Sequence, residues 1–130
     1  VYIDDYAHHP TEIKAILSSV KALFPDKKIT GIFQPHLFTR TRDFAEQFAR
    51  SLEMLDQLIL MEIYPAREEA IPGIDSAMLL DLVKLDEKVL INREQLLRVV
   101  KERDPEVLVT MGAGDINQFV GPLKEWSMRI

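Results

Sequence analysis

The run Leu58-Ile59-Leu60-Met61 constrains this chain most. Successive side chains of a strand point to opposite faces, so four apolar residues in a row leave neither face polar. Such a segment needs cover on both sides, as in a parallel sheet with helices packed above and below. The rest of the sequence supplies those parts in alternation. Val1 to Asp4 reads as a first short strand. Ile29 to Gln34, Leu58 to Met61, Val89 to Ile91 and Val107 to Met111 read as four more.

The intervening segments carry helical spacing. Pro10-Thr11-Glu12 is a helix start with Pro in the first turn. Ile13, Ile16, Leu17, Val20 and Leu23 then form one apolar stripe, ended near Phe24-Pro25. Thr39 or Thr41 is expected to cap a second helix whose apolar face is Phe44, Phe48, Leu52 and Leu55. After an irregular loop from Glu62 to Ile74, Asp75 caps a third helix carrying Met78, Leu79, Leu82 and Val83. Glu94 to Arg103 is the fourth helix. The last follows Gly114 and is expected to break at Gly121-Pro122.

Five βα repeats with short connections predict an α/β fold. Its form is a Rossmann-like, open three-layer α/β/α sandwich on a mostly parallel sheet of five or six strands. Residues 1–130 are expected to form a single domain, which suits a 130-residue chain. Composition removes several function classes. Sixteen Lys and Arg against 21 Asp and Glu give a formal charge of −5, which argues against a nucleic-acid surface. No apolar run approaches the ~20 residues that span a bilayer. With no Cys there is no disulfide, thiolate nucleophile or Cys-held metal. A cytoplasmic location is the expectation.

Ligands of open α/β sheets bind beyond the carboxyl ends of the strands. Asp4-Asp5-Tyr6-Ala7-His8-His9-Pro10 follows the first strand. Gln34-Pro35-His36-Leu37-Phe38-Thr39-Arg40-Thr41-Arg42 covers the exit of the second. These two loops hold all three histidines of the protein. His36, Arg40 and Arg42 beside a helix start make an anion pocket, since Arg offers carboxylate or phosphate a planar, two-point match. Two cations in a first turn oppose the helix dipole, itself a hint of use. Asp5 suits the vicinal hydroxyls of a ribose, and Tyr6 suits stacking on a base. His8 suits orienting or deprotonating an amine near neutral pH. Gly112 and Gly114 bracket a strand-to-helix turn whose bare backbone lets a ligand approach, and Asp115 follows it. Asp4, Asp5, His8, His9 and His36 match no specific metal-ligand spacing, so no metal site is assigned. There is no phosphate-binding G-x-x-x-x-G-K-[ST] and no G-x-S-x-G elbow.

Several runs together carry a resemblance. Asp4-Asp5-Tyr6-Ala7-His8-His9-Pro10-Thr11-Glu12-Ile13, Phe33-Gln34-Pro35-His36 and Thr39-Arg40-Thr41-Arg42-Asp43 come first. Ile63-Tyr64-Pro65-Ala66-Arg67-Glu68, Ile71-Pro72-Gly73 and Met111-Gly112-Ala113-Gly114-Asp115 continue it. Over essentially its whole length the chain resembles the C-terminal domain of the Mur ligase family. The double His and the Phe-Gln-Pro-His run point to the L-alanine-adding branch. The resemblance implies an ATP-dependent ligase of bacterial peptidoglycan precursor synthesis that joins L-alanine to UDP-N-acetylmuramate through an acyl phosphate. It implies two further domains, one for the UDP-sugar and a central ATPase. ATP and Mg2+ would enter mainly through the latter.

By motif position, Asp5 would hold the ATP ribose and Tyr6 would lie at the adenine. His8 would sit near the incoming alanine, as base or as orienter. His36 and Arg40 would face the anionic end of the substrate. The family often has Arg where Leu37 stands, which leaves Arg42 as a substitute. Gly112, Gly114 and Asp115 would line the cleft. A chain that opens on Val1 and lacks a phosphate loop is expected to be an excised domain, inactive alone. The alternatives are a receiver-like module and a stand-alone nucleotide-binding or scaffold domain. The receiver pattern lacks its phosphoacceptor Asp after the third strand, where Glu62 stands, and its Lys after the fifth.

Overall fold

The computed structural model describes residues 1–128 of the chain. Five strands alternate with five helices. They are β1 (Tyr2–Asp5), α1 (Pro10–Leu23), β2 (Ile29–Gln34), α2 (Phe38–Leu52), β3 (Gln57–Met61), α3 (Ser76–Leu82), β4 (Lys88–Ile91), α4 (Leu96–Arg103), β5 (Val107–Gly112) and α5 (Val120–Ser127). Short 3₁₀ turns at Arg93–Gln95 and Asp115–Phe119 lead into α4 and α5.

All strand pairs are parallel, and the order across the sheet is β1-β5-β2-β3-β4. From β1 to β4 the chain always moves the same way across the sheet. Right-handed crossovers therefore place α1, α2 and α3 on one face. The connection from β4 back to β5 reverses direction, so α4 falls on the other face, and α5 joins it. The two cores follow this division. Ile13, Leu17, Phe48, Leu52 and Leu79 cover Phe33, Leu58, Leu60 and Val109 on one side. Leu96, Val100, Ile116 and Leu123 cover Ile32, Ile59, Met61 and Leu108 on the other. The Leu58–Met61 run is thus buried from both sides, as its apolar continuity requires. Every residue of β2 and β5 is buried as well. The first strand lies at a sheet edge, whereas a receiver-type sheet has its first strand inside. The receiver alternative is thereby excluded.

Three local expectations need correction. Neither Thr39 nor Thr41 caps α2. The helix begins at Phe38 behind Leu37, whose side chain offers no cap. The reason is tertiary: a carboxylate from another loop does the work, as described below. Leu55 is buried but lies beyond the end of α2, after the Glu53 C-cap. The last helix does not break at Gly121-Pro122. Pro122 sits in the first turn of α5, where its missing N–H would have had no intrahelical partner. Other signals hold. Pro10 opens α1 behind His9, and the Asp75 carboxylate accepts from the Met78 N–H at 2.8 Å. Among the described residues no helix is long and apolar enough to cross a membrane. The last two residues of the expected domain, 129 and 130, lie outside the described ones.

Candidate functional site

The register aligns the strand exits along one edge. Asp5 lies beside Met111, Gln34 beside Gly112 and Met61 beside Ile91. After β1 and β2 the chain departs to the α1–α2 face. After β5, which lies between them, it departs to the opposite face. Loops that diverge over adjacent strands open a crevice at that point. Its walls are the residues that follow β1, β2, β3 and β5.

Four rings run along this edge. Tyr6 meets His8 edge-on with centroids 5.4 Å apart, His8 lies 6.2 Å from His36, and His36 lies 5.7 Å from Tyr64. His8 Nδ1 donates to the Tyr6 carbonyl at 2.8 Å. That bond places a ring proton on Nδ1, so Nε2 is the ring nitrogen left to face a partner. The Glu12 carboxylate is 3.7 Å from the same nitrogen. Asp5 folds its Oδ1 back onto the Ala7 N–H at 2.8 Å and borders a hollow of about 380 Å³ with Glu12, Ala15, Ile16 and Ser19. Tyr6 is 62% exposed, so its ring is available to a partner rather than part of the core. His9, by contrast, packs on Phe44 at 4.8 Å and caps α1, a structural role.

The second half of the site is the start of α2. His36 and Tyr64 are paired through their backbones as an isolated parallel bridge. The Leu37 N–H donates to the Tyr64 carbonyl at 2.9 Å, and the Leu37 carbonyl accepts from the Thr41 hydroxyl at 2.8 Å. Between those bonds Leu37 is held at φ 73°, ψ 136°, a conformation a leucine adopts only under constraint. One turn on, Arg40 has a buried guanidinium nitrogen, Nη1, with no hydrogen-bond partner among the described residues. A buried, unsatisfied charged donor is costly unless something arrives to accept from it. Arg42 is committed otherwise: its Nε donates to Asp43 at 2.9 Å, which raises its pKa further. Burial holds the His36 imidazole below its ordinary 6.5, and the Arg40 and His8 charges act in the same direction, with Glu68 opposing them.

Glu68 comes from the turn after β3. Its Oε1 accepts the Thr39 N–H at 3.1 Å and its Oε2 accepts the Thr39 hydroxyl. Those hydrogen bonds, the Thr39 hydroxyl foremost, hold its carboxyl below the usual range. Sequence reasoning assigned no role to Glu68, Tyr64 or Gln34. Their only signal was membership of the runs that leave β3 and β2. Gln34 is 2% exposed, and its amide reaches both ways: Nε2 donates to the Glu62 carbonyl at 3.2 Å, and Oε1 accepts the Ile116 N–H at 2.8 Å.

Gly112 and Gly114 have φ of 122° and 129°. A Cβ on Gly112 would strike the Gln34 carbonyl, and one on Gly114 would strike the Tyr64 ring. Both glycines are therefore needed for packing within the protein as well as for a bare backbone. Asp115 turns toward the α4–α5 side, 3.7 Å from Arg93, where a cavity of about 180 Å³ also borders Gln34, Glu62 and Asn92. Among the described residues no three His, Asp or Glu side chains are grouped to hold a metal ion.

A model of the Mur ligase, glutamate ligase domain family matches residues 1–114. The UDP-N-acetylmuramate–L-alanine ligase of Parabacteroides distasonis is 55% identical over 125 residues, covering 96% of this chain and 27% of that protein. The ligase of the same description from Cytophaga hutchinsonii is 52% identical over 124 residues, covering 95% and 27%. The crystal structure of UDP-N-acetylmuramate–alanine ligase from Thermotoga maritima superposes with a TM-score of 0.70 at 30% identity, covering 96% of this chain and 27% of that one. The chain spans about a quarter of the length of these relatives.

Proposed function

The chain belongs to the Mur ligase, glutamate ligase domain family, and from that premise we propose that it is the closing domain of a longer ATP-dependent ligase joining L-alanine to UDP-N-acetylmuramate. The reaction belongs to peptidoglycan precursor synthesis in the bacterial cytoplasm. Residues 1–130 form one domain of it, and the UDP-sugar and ATPase domains lie elsewhere in the protein. ATP phosphorylates the sugar-linked carboxylate. The alanine amine attacks the acyl phosphate, and the tetrahedral intermediate expels phosphate. Positioning and charge neutralisation dominate such chemistry. The domain's swing onto the other two completes the site and excludes water.

The observation that carries this reading is the buried Arg40 nitrogen, without a hydrogen-bond partner among the described residues, on the helix turn that follows His36, whose pKa burial lowers. That pair suits a zwitterionic amino acid: Arg40 takes the carboxylate and His36 lies beside it. His8 supports the incoming amine, as base or as orienter, with its ring fixed by the Nδ1 bond to the Tyr6 carbonyl and Nε2 turned to the partner. Asp5 holds the ATP ribose from the edge of its hollow, and Tyr6 offers an exposed face to adenine. Arg42 contributes charge near the same anion once it exchanges Asp43 for substrate. Gly112 and Gly114 shape the cleft floor. Asp115 lines its far side. Mg2+ finds no ligand cluster among these residues, and no step is assigned to it here.

The test compares the 130-residue chain with the longer ligase in phosphate release dependent on ATP, UDP-N-acetylmuramate and L-alanine. The longer protein should turn over with L-alanine and the chain alone should not. Turnover by the chain alone, or a longer protein indifferent to L-alanine, overturns the reading.

A further inference from the structure

The start of α2 carries an electrostatic contradiction. It has no acid in its first turn, no capping side chain at Leu37, and two cations, Arg40 and Arg42, next to the positive end of the helix dipole. The N–H groups of this first turn need an acceptor from elsewhere, the more so because a kink at Phe44 (φ −120°, ψ 18°) separates the turn from the rest of α2. Glu68 supplies it from 29 residues further along the chain, with one oxygen on the Thr39 N–H and the other on the Thr39 hydroxyl. The loop that delivers Glu68 is itself fastened at both ends of the contact. The Glu68 N–H donates to the Pro65 carbonyl at 2.9 Å, and the Tyr64 N–H and carbonyl bond to Pro35 and Leu37 at 2.8 and 2.9 Å.

We propose that Glu68 is a positioning residue for L-alanine, acting as the N-cap of α2 in trans and so fixing where Arg40 and His36 stand at the crevice; this rests on the function proposed above. The carboxylate occupies the helix start, so the backbone there is not the anion site. Recognition passes to Arg40, which follows Thr39 in the same first turn. A negative charge near an anionic substrate is by itself unfavourable. Charge and capping therefore predict opposite outcomes, which makes the role testable.

In the full-length ligase, Glu68→Ala should raise KM for L-alanine by roughly 5–10-fold, the worth of a lost cap. KM for ATP should stay within about twofold, and kcat should change less than KM. Glu68→Gln removes the charge but keeps one acceptor for Thr39, and should restore most of the affinity. Glu69→Gln, next door and exposed, should leave all constants unchanged. Hydrogen exchange at the Thr39 amide should accelerate in Glu68→Ala and not in Glu69→Gln. If Glu68→Ala does not fold, Thr39→Val, which removes only the hydroxyl, should show the same split in smaller measure.

A Glu68→Gln enzyme with a lower KM for L-alanine than the parent would overturn the proposal, since Glu68 would then act only as a repelling charge. An equal rise of KM for all three substrates would do so too, as general damage. A parent enzyme that does not use L-alanine defeats the underlying functional reading instead. Exchange at Thr39 still decides the cap in that case, and unchanged exchange in Glu68→Ala refutes it.

Discussion

The His36 imidazole sits edge-on to the Tyr64 ring, 5.7 Å between centroids, on two backbones paired as an isolated parallel bridge. The loop after β3 thereby forms one wall around the loop after β2. His36 is partly withdrawn from water, with Arg40 and His8 acting on it from its own side of the crevice.

The His36 pKa is predicted to lie below its ordinary 6.5. In the window between the folded and unfolded values the unfolded chain binds more protons. Stability therefore falls as pH drops from about 6.5 through the folded pKa, and His36 contributes no pH dependence well above that window. NMR titration of the imidazole resonances checks this. Arg40→Ala should move the midpoint up toward 6.5, with burial keeping part of the depression. A midpoint at or above 6.5 in the unaltered chain contradicts the prediction.

Arg40→Ala in the full-length ligase should raise KM for L-alanine roughly 10–100-fold, as expected for a lost charge-assisted, two-point contact. Arg40→Lys should recover only part of it, because an ammonium keeps the charge but not the planar fork. Equal effects on KM for ATP and for L-alanine would count against the assignment.

Gln34→Leu should destabilise the chain by about 2–4 kcal/mol. Leucine fills the volume but leaves the Ile116 N–H and the Glu62 carbonyl without their partner, the former inside the protein. Thermal and urea denaturation measure the loss. A change under about 0.5 kcal/mol would mean that water replaces the amide.

Two glycines should respond in different measure. Gly114→Ala puts a methyl into the Tyr64 ring at φ 129° and should cost about 1–3 kcal/mol. Gly121→Ala, in the first turn of α5, meets no other group among the described residues beyond its chain neighbours, but its methyl crowds the ring of Pro122 in helical backbone and should bring no gain, at a cost of no more than about 1 kcal/mol. Comparison of the two denaturation midpoints reads both. Equal midpoints would refute the packing role given to Gly114.

Much of the fold was legible in local pattern. Strand positions, most of the face each helix buries and the Asp75 and Pro10 helix starts follow from spacing within a few residues, although Leu23, at the end of the α1 stripe, is 70% exposed. The motif-bearing loops after β1 and β2 were legible too, and the structure brings His8, His36 and Arg40 to one edge. What escaped was whatever one segment does to another. Thr39 looked like a cap because its sequence neighbours suit one. The cap is Glu68, which no local rule connects to it. Asp115 was legible only as the residue after the glycines; its pairing with Arg93, 22 residues away, was not.

The alternation of buried runs and amphipathic stretches by itself determined a parallel α/β sheet with helices on both faces, since helices recurring between strands supply the cover that Leu58–Met61 needs. Only the tertiary structure decided that β5, last in the chain, lies between β1 and β2. That insertion brings Thr110 to within 2.6 Å of Asp4 across 106 residues of sequence. It also sends adjacent loops to opposite faces, and so opens the crevice. The physical reason is range. Burial and helix capping act over one or two turns of chain. Strand order and the partners of Arg40, His36 and Thr39 are set by contacts that exist only once the sheet has closed.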